Sequence, residues 1–584
     1  MDDKHDAEPM RSQAWQVADR VDPCLRAAVA LGWADHSGPV GMVFELMPGL
    51  AVKSLVAALG QDDRVRTHWQ GEQAVFGTAW LTRASAARWC EQGPPACIAR
   101  FEVGMFWRDW RDSEGTAPTT PAVVPPRRQG ARSSADTLLV VMDHGCPFAH
   151  PDLRRPDGQT AILRLWDQDD AHALGAMARC PQPWGYGADL DRTELMTLLA
   201  QAGQDEAVCY ARMGYHALQR RAVHGAHVLG QMVSPAAHDV VFVQLPRSQL
   251  QTLSRGALLS FVLDGAMYAL SLAAPGSRVV VNLSLEAYDG PHDADSLWAS
   301  ALQALVWHAR QAHQVIWTWV MAAGNAALLK VHARMHLEAQ VPQTLVWRLP
   351  PVSEHVAWLE LWWPEHMGDL TLWLQAPGDA VSWRVPCGAL SVWPSPSHPM
   401  CLVAYPRAVT SSGRSLRVRL APTASGWSHP VTATAGDWTL RLSGSGTGTV
   451  RACLARVWQG LGGHPRGRQG ELWTGQEVSL SSHDLLRPDD GPRPDSISGL
   501  VCDIDGVRVA QAMRWRNGQL EETAYSGRGR VRAVSAHCCE ESGLLHGVRG
   551  WGALGGQTVR MNGTSVAVPQ AVRSLTSAGG RAPP

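Results

Sequence analysis

The sequence predicts an α/β protein: a parallel-sheet domain, preceded by a small α+β unit and interrupted by an all-β insertion. Three observations carry this. The runs Thr137–Met142, Val240–Leu245, Arg278–Leu283 and Val315–Ala323 are apolar over most of their length, as strands covered on both faces must be, and the helix-type stretch Leu258–Leu272 falls between two of them. Ahead of them, residues 40–103 alternate strand- and helix-type segments in the order βαββαβ. From Leu345 to about Val457 the pattern changes to apolar–polar alternation broken by turn residues, the signature of a β-sandwich.

Taken in order, residues 1 to about 30 read as a loose arm with a short helix. Val40–Met47 reads as a strand and Ala51–Leu59 as a helix. Arg64–Trp69 and Ala74–Leu81 follow as strands joined at Gln70, Gly71 and Glu72, then Ser85–Gln92 as a helix and Ile98–Val103 as a last strand. This is the split-βαβ, ferredoxin-like order, expected to occupy 1–110. Residues 111–135 contain Pro118, Pro121, Pro125 and Pro126, then Arg127 and Arg128, a composition that favours an extended linker open to proteolysis. The parallel-sheet domain is expected over 136–335 and again over 491–584, with the sandwich inserted at 336–490. Turn signals such as Ala376–Asp379 and Ser443–Gly446 separate the sandwich strands. The tryptophans Trp347, Trp358, Trp362, Trp363, Trp373, Trp383 and Trp393 read as its core. Gly444–Gly448 has neither the lysine nor the strand–helix setting of a phosphate loop and reads as a turn.

Composition narrows the functional classes. The chain has 584 residues, 45% apolar and 18% charged, with a formal net charge of −1, so neither a nucleic-acid nor a membrane-surface partner is expected. No apolar run approaches the ~18 residues of a membrane span. Met1–Asp6 is polar and acidic with no apolar stretch behind it, which points away from a signal peptide and towards a cytoplasmic location. The 12 cysteines lack metal or disulfide-framework spacing and read as reduced thiols.

The chemistry concentrates at element ends. In Asn562–Pro569 a Gly-Thr-Ser turn enters a helix-compatible segment, so the Ser565 hydroxyl and N–H sit at a helix N-terminus. Pro569 reads there as a first-turn residue. Asp143 ends the run Thr137–Met142, His224 opens a helical segment, and Asn325 follows the run Val315–Ala323. Asp, His, Asn and Ser, each at the tip of an element, are what acyl transfer by an activated serine requires: nucleophile, base, orienting carboxylate and oxyanion donor. His292 and Asp293 read as a polar turn. A zinc site is not expected, because His224 and His227 are three apart and no H-E-x-x-H occurs.

These segments resemble the subtilisin-like serine proteases (subtilases, peptidase S8 family). VVMDHG with HPDL is similar to the Asp box, HGAHVLG to the His box, VMAAGN to the oxyanion strand and NGTSVAVP to the Ser box. The resemblance implies a serine endopeptidase (a hydrolase) with Asp143, His224 and Ser565 as triad and Asn325 as oxyanion donor. It also implies Ser284, Leu285, Glu286, Ala323 and Gly324 as substrate-binding residues. His144, Ala226, Val566 and Gln570 depart from the usual boxes. The stretch of 81 positions from Asp143 to His224 exceeds that of compact subtilases. With NLSL at Asn282 it resembles the spore-germination (Csp) type, which implies that the insertion is a jelly roll. In that setting the ferredoxin-like unit resembles a propeptide, and Ala524–Gly529 resembles the stretch before the Ser box.

The expected partners are a protein or peptide substrate and the chain's own prodomain. The expected cofactor is none; calcium is common in the family, but no loop names its ligands. Glu286 stands where the family usually has Gly. Its carboxylate either draws Lys or Arg side chains to the cleft, with Arg127–Arg128 a self-cleavage site between Gly104 and Ala135, or it points to solvent and only shapes the strand. Two other classes fit the sequence: a catalytically idle subtilase-fold regulatory or binding protein, and a glycan- or peptide-binding protein built on the sandwich.

Overall fold

The computed structural model describes residues 15–16, 40–104, 126–127, 132–168, 179–212, 215, 218, 220–232, 238–246, 255–292, 296–395, 398–405, 413–424, 431–456, 468–474, 500, 502, 504–516, 519–527, 533–535 and 547–577. Its N-terminal part runs β1 (Val40–Leu46), α1 (Val52–Val56), β2 (Arg64–Gln70), β3 (Val75–Leu81), α2 (Arg83–Gln92) and β4 (Ile98–Gly104). The strands form one antiparallel sheet in the order β2-β3-β1-β4. Helix α2 starts where the Thr82 side chain accepts the Ser85 N–H at 3.2 Å. Helix α1 is shorter than the expected Ala51–Leu59, because its chain tightens into an Ala58-to-Leu55 turn before Gly60.

The central sheet has eight strands. They are β5 (Thr137–Asp143), β6 (Ile162–Asp167), β7 (Ala188–Asp191), β8 (Asp239–Gln244), β9 (Arg278–Leu283), β10 (Ile316–Ala322), β11 (Val507–Gln511) and β12 (Ala533–Ser535), in the order β7-β6-β8-β5-β9-β10-β11-β12. All pairings are parallel except that of the edge strand β7 with β6. Helices α3 (Arg192–Gln201) and α4 (Glu206–Arg212) follow β7, and α5 (His224–Met232) precedes β8. Helices α6 (Arg255–Leu272) and α7 (Leu297–His313) pack on one side of the sheet. On the other side α5 and the last helix, α8 (Thr564–Ser577), share a second core. A parallel sheet so covered is buried on both faces, and β5, β8 and β9 are buried along nearly their whole length.

The N-terminal sheet lies on α6 and α7. Arg66 and Asp264, both fully buried, pair at 2.9 Å across this junction. The Arg66 guanidinium sits 4.2 Å over the Trp80 ring. Tyr186 donates to Asp264 at 2.8 Å, and Trp69 donates to the Ala301 carbonyl at 3.1 Å.

Between β10 and β11 lie six strands of a seven-stranded antiparallel sheet and all of a five-stranded one, and the two sheets share one core. The first strand is His332–Leu337, so the insertion starts just before the expected 336. Trp347, Trp363 and Trp438 are inside that core, while Trp383 and Trp393 stack at 3.9 Å at its margin. Gly444–Gly448 is the turn between two of its strands. Two short pairings differ from expectation. Trp15–Gln16, expected in a loose arm, is the seventh strand of the larger sheet, paired with Ala389–Leu390. Pro126–Arg127, expected as free linker, pairs with Cys180–Pro181. The remaining expectations for 1–39, and most of those for the linker, fall outside the described residues, as do Asp293 and Cys538–Cys539. Among the described residues no helix is long and apolar enough to cross a membrane.

Candidate active site

Strand β5, in the middle of the sheet, carries Asp143 at its C-terminal end, and helix α5 begins at His224. His224 Nδ1 lies 2.9 and 2.8 Å from the two Asp143 carboxylate oxygens. Asp143 is buried, while the His224 side chain is 37% exposed, so the imidazole has one end fixed and the other open to a reactant. Gly225 makes the approach possible. Its N–H donates to the His144 carbonyl at 3.1 Å, and a Cβ there would meet that oxygen at 2.6 Å. The His144 N–H donates to Asp143 Oδ1 at 2.7 Å and steadies the carboxylate.

The protonation state of His224 follows from competing causes. Burial opposes the cation, but the charge and hydrogen bonding of Asp143, together with the charge of Glu286, favour it; Arg456 opposes. The net effect raises the pKa above the ordinary 6.5.

Ser565 is the second residue of α8, where N–H groups have no partner one turn back. The helix continues through Pro569, which lies inside it rather than in the first turn. Proline has no N–H and its ring crowds the carbonyl four residues earlier, here that of Ser565. The Ser284 hydroxyl supplies the missing donor at 3.1 Å and itself accepts from Asn282 Nδ2 at 3.0 Å. Ser284 thus fixes the Ser565 backbone from the end of β9.

Asn325 stands beyond the end of β10 and is tied to the same turn. Its Oδ1 accepts from the Thr564 N–H at 2.8 Å and the Thr564 hydroxyl at 3.2 Å, and that hydroxyl accepts from the Gly324 N–H at 3.1 Å. Gly563 has φ +135°, and the space a Cβ would fill there is bounded by Asn325 Oδ1 and Ser565 Oγ, each 3.3 Å away. Asn325 and the serine hydroxyl therefore border one small volume. Among the described residues, no hydrogen bond joins the Ser565 hydroxyl to His224.

The other expected residues are placed differently from one another. Leu285 packs on the core beneath the sheet. The Ala323 N–H bonds the Ala510 carbonyl at 3.0 Å, and the Gly324 carbonyl accepts from Gly527 at 2.8 Å, so those groups are already used within the fold. Glu286 corrects an expectation: it is only 8% exposed and does not point to solvent. One carboxylate oxygen accepts from Asn325 Nδ2, and the other pairs with Arg456 at 3.3 Å and lies 3.4 Å from the Tyr288 hydroxyl. With these partners it is not an unpaired charge awaiting a basic side chain. His292 bonds the Tyr288 carbonyl at 3.2 Å within its turn, away from any triad role.

Several contributors went unread in the sequence. His227 Nε2 lies 2.9 Å from the Val548 carbonyl and, kept neutral by burial, donates to it. Gln231 donates to the Arg549 carbonyl at 2.6 Å. These bonds hold the hairpin β13 (Val548–Trp551)–β14 (Thr558–Met561), which leads directly to Ser565, against the helix carrying His224. Gly230 leaves room for Trp551, which stacks on His150 at 4.2 Å. His227, at i+3 from His224 on one helix face, was the available signal.

No protein-family model matches the sequence, and no curated protein does. Among solved structures the chain is similar to the Clostridium perfringens CspB protease, with a TM-score of 0.50 and 15% identity over 75% of this chain and 81% of that one. At that identity the likeness concerns the fold: a parallel-sheet α/β core with further antiparallel sheets.

Proposed function

We propose that the chain is a serine endopeptidase of the subtilase type. The observation that carries the reading is the convergence at the C-terminal ends of the parallel strands of a histidine fixed by a buried carboxylate and a serine at a helix start, with an asparagine locked to the residue beside that serine. In this mechanism His224 takes the Ser565 proton as the hydroxyl oxygen attacks the scissile carbonyl, then returns it to the leaving amine. Asp143 holds the imidazole tautomer and stabilises its cation. The Ser565 N–H and Asn325 Nδ2 receive the negative charge that develops on the carbonyl oxygen. Water then repeats the sequence on the acyl-enzyme. No step calls for a metal or cofactor.

The likeness to the CspB protease fold and the four sequence boxes support the same reading, as they do the assignment of the N-terminal sheet as a prodomain and the insertion as a jelly roll. We extend it to self-cleavage between Gly104 and Ala135. The test is hydrolysis of an unstructured protein substrate, with intact mass of the purified enzyme. Wild type should cleave the substrate and lose its N-terminal segment, whereas Ser565→Ala and His224→Ala should do neither. Equal activity in Ser565→Ala would end the peptidase reading; one full-length mass for wild type and variant would end the self-cleavage reading alone. A catalytically idle binding protein is the second reading, favoured by the engagement of Asn325 Nδ2 with Glu286.

A further inference from the structure

The inserted sandwich reaches back to both sides of the candidate site. Tyr288 and Ala326, neighbours of Glu286 and Asn325, belong to the sandwich core. The loop after Glu286 is fastened to sandwich strands: the Gly290 N–H donates to Glu360 at 2.8 Å, and Arg451 donates to the Pro291 carbonyl at 3.0 Å. Arg456, which pairs with Glu286, lies two residues past the strand Gly448–Leu454. Glu286 is thus positioned by the insertion, and it is positioned against the donor that the proposed reaction needs.

We propose that Glu286 is a brake on the oxyanion donor. With its carboxylate on one N–H of Asn325 Nδ2, a negative group stands beside that donor in the free enzyme. A substrate carbonyl oxygen bound by the same nitrogen would become negative next to that carboxylate in the transition state. A carboxylate beside it raises the energy of the transition state more than that of the neutral ground state, which is the reverse of oxyanion stabilisation. Arg456 offsets part of that charge and is the partner onto which the carboxylate moves when Asn325 turns to substrate. The sandwich, by carrying Arg456, sets how readily the brake lifts. This inference rests on the serine peptidase reading.

The test measures the rate of covalent labelling of Ser565 by a fluorophosphonate, with the adduct located by peptide mass, in wild type, Glu286→Gln, Glu286→Ala and Arg456→Met. Glutamine keeps the size and an acceptor for Asn325 but removes the charge. Glu286→Gln should label at least ~10-fold faster than wild type, equivalent to about 1.4 kcal/mol of barrier. Glu286→Ala should do the same if folded, as judged by its unfolding midpoint, and Arg456→Met should be slower than wild type. A Ser565 adduct in wild type with an unchanged or lower rate in Glu286→Gln overturns the brake and leaves the peptidase reading standing. No Ser565 adduct in any folded variant overturns both.

Discussion

The Ser284–Ser565–Pro569 arrangement makes a prediction independent of catalysis. Within α8 the Ser565 carbonyl would ordinarily accept from residue 569, but Pro569 has no N–H, and the carbonyl accepts instead from Ser284 at 3.1 Å. Ser284→Ala removes that donor and leaves both the carbonyl and fully buried Asn282 short of a partner. An unsatisfied group of this kind costs about 1–3 kcal/mol. Pro569→Ala restores a backbone N–H able to donate to the same carbonyl. In that background Ser284→Ala should cost less, with a coupling of about 1 kcal/mol, the net worth of one hydrogen bond. Changes that proline removal makes to the unfolded chain appear in both backgrounds and cancel in the cycle. The assay is hydrogen exchange by mass spectrometry on peptides covering 564–577, which reports the opening free energy of this helix rather than of the whole chain. Additive effects of the two substitutions would refute the argument, because they would mean that proline is not what makes Ser284 necessary.

Three other outcomes follow from the geometry. Gly225→Ala places a Cβ 2.6 Å from the His144 carbonyl, so α5 has to shift from Asp143; hydrolysis should fall roughly 10-fold or more at unchanged far-UV circular dichroism, the loss expected when a general base is misplaced. The raised pKa of His224 means that its neutral, proton-accepting form is lost as pH falls through a value above 6.5, so the acid limb of a kcat/KM profile should lie above that of free imidazole; its stabilising pairing with Asp143 is, conversely, fully present below 6.5 and lost as pH rises through the folded-state value. Arg66→Ala leaves Asp264 buried without its cation and should destabilise the junction by about 3–5 kcal/mol, read as earlier proteolysis within 40–104 during urea titration.

The parallel strands were legible because burial on both faces leaves little room for polar residues, and β5, β8, β9 and β10 lie within a residue or so of the expected runs. Asp143, His224, Asn325 and Ser565 were legible because each ends or begins such an element. What the sequence hid are contacts between distant segments. Arg456 has no local pattern that aims it at Glu286, and a glutamate after β9 reads as exposed because most glutamates are. Pro569 was misread from position alone: helix geometry tolerates it once a side chain from another element replaces the lost donor. The strand His332–Leu337, with His and Arg on its outer face, lies ahead of Leu345, where the alternation was expected to begin. Trp15–Gln16 is too short for any periodicity, and only its partner strand defines it.

The central claim is that Ser565 is a nucleophile activated by His224, and one measurement addresses it most directly. Wild type, Ser565→Ala and His224→Ala are incubated with a fluorophosphonate and digested, and the modified peptide is identified by mass. Wild type should carry a single adduct on Ser565 and Ser565→Ala none at that peptide, and labelling should slow by roughly 10²-fold or more in His224→Ala, the share a positioned base contributes. An adduct on another serine that persists in Ser565→Ala, or equal labelling rates with and without His224, would contradict that claim.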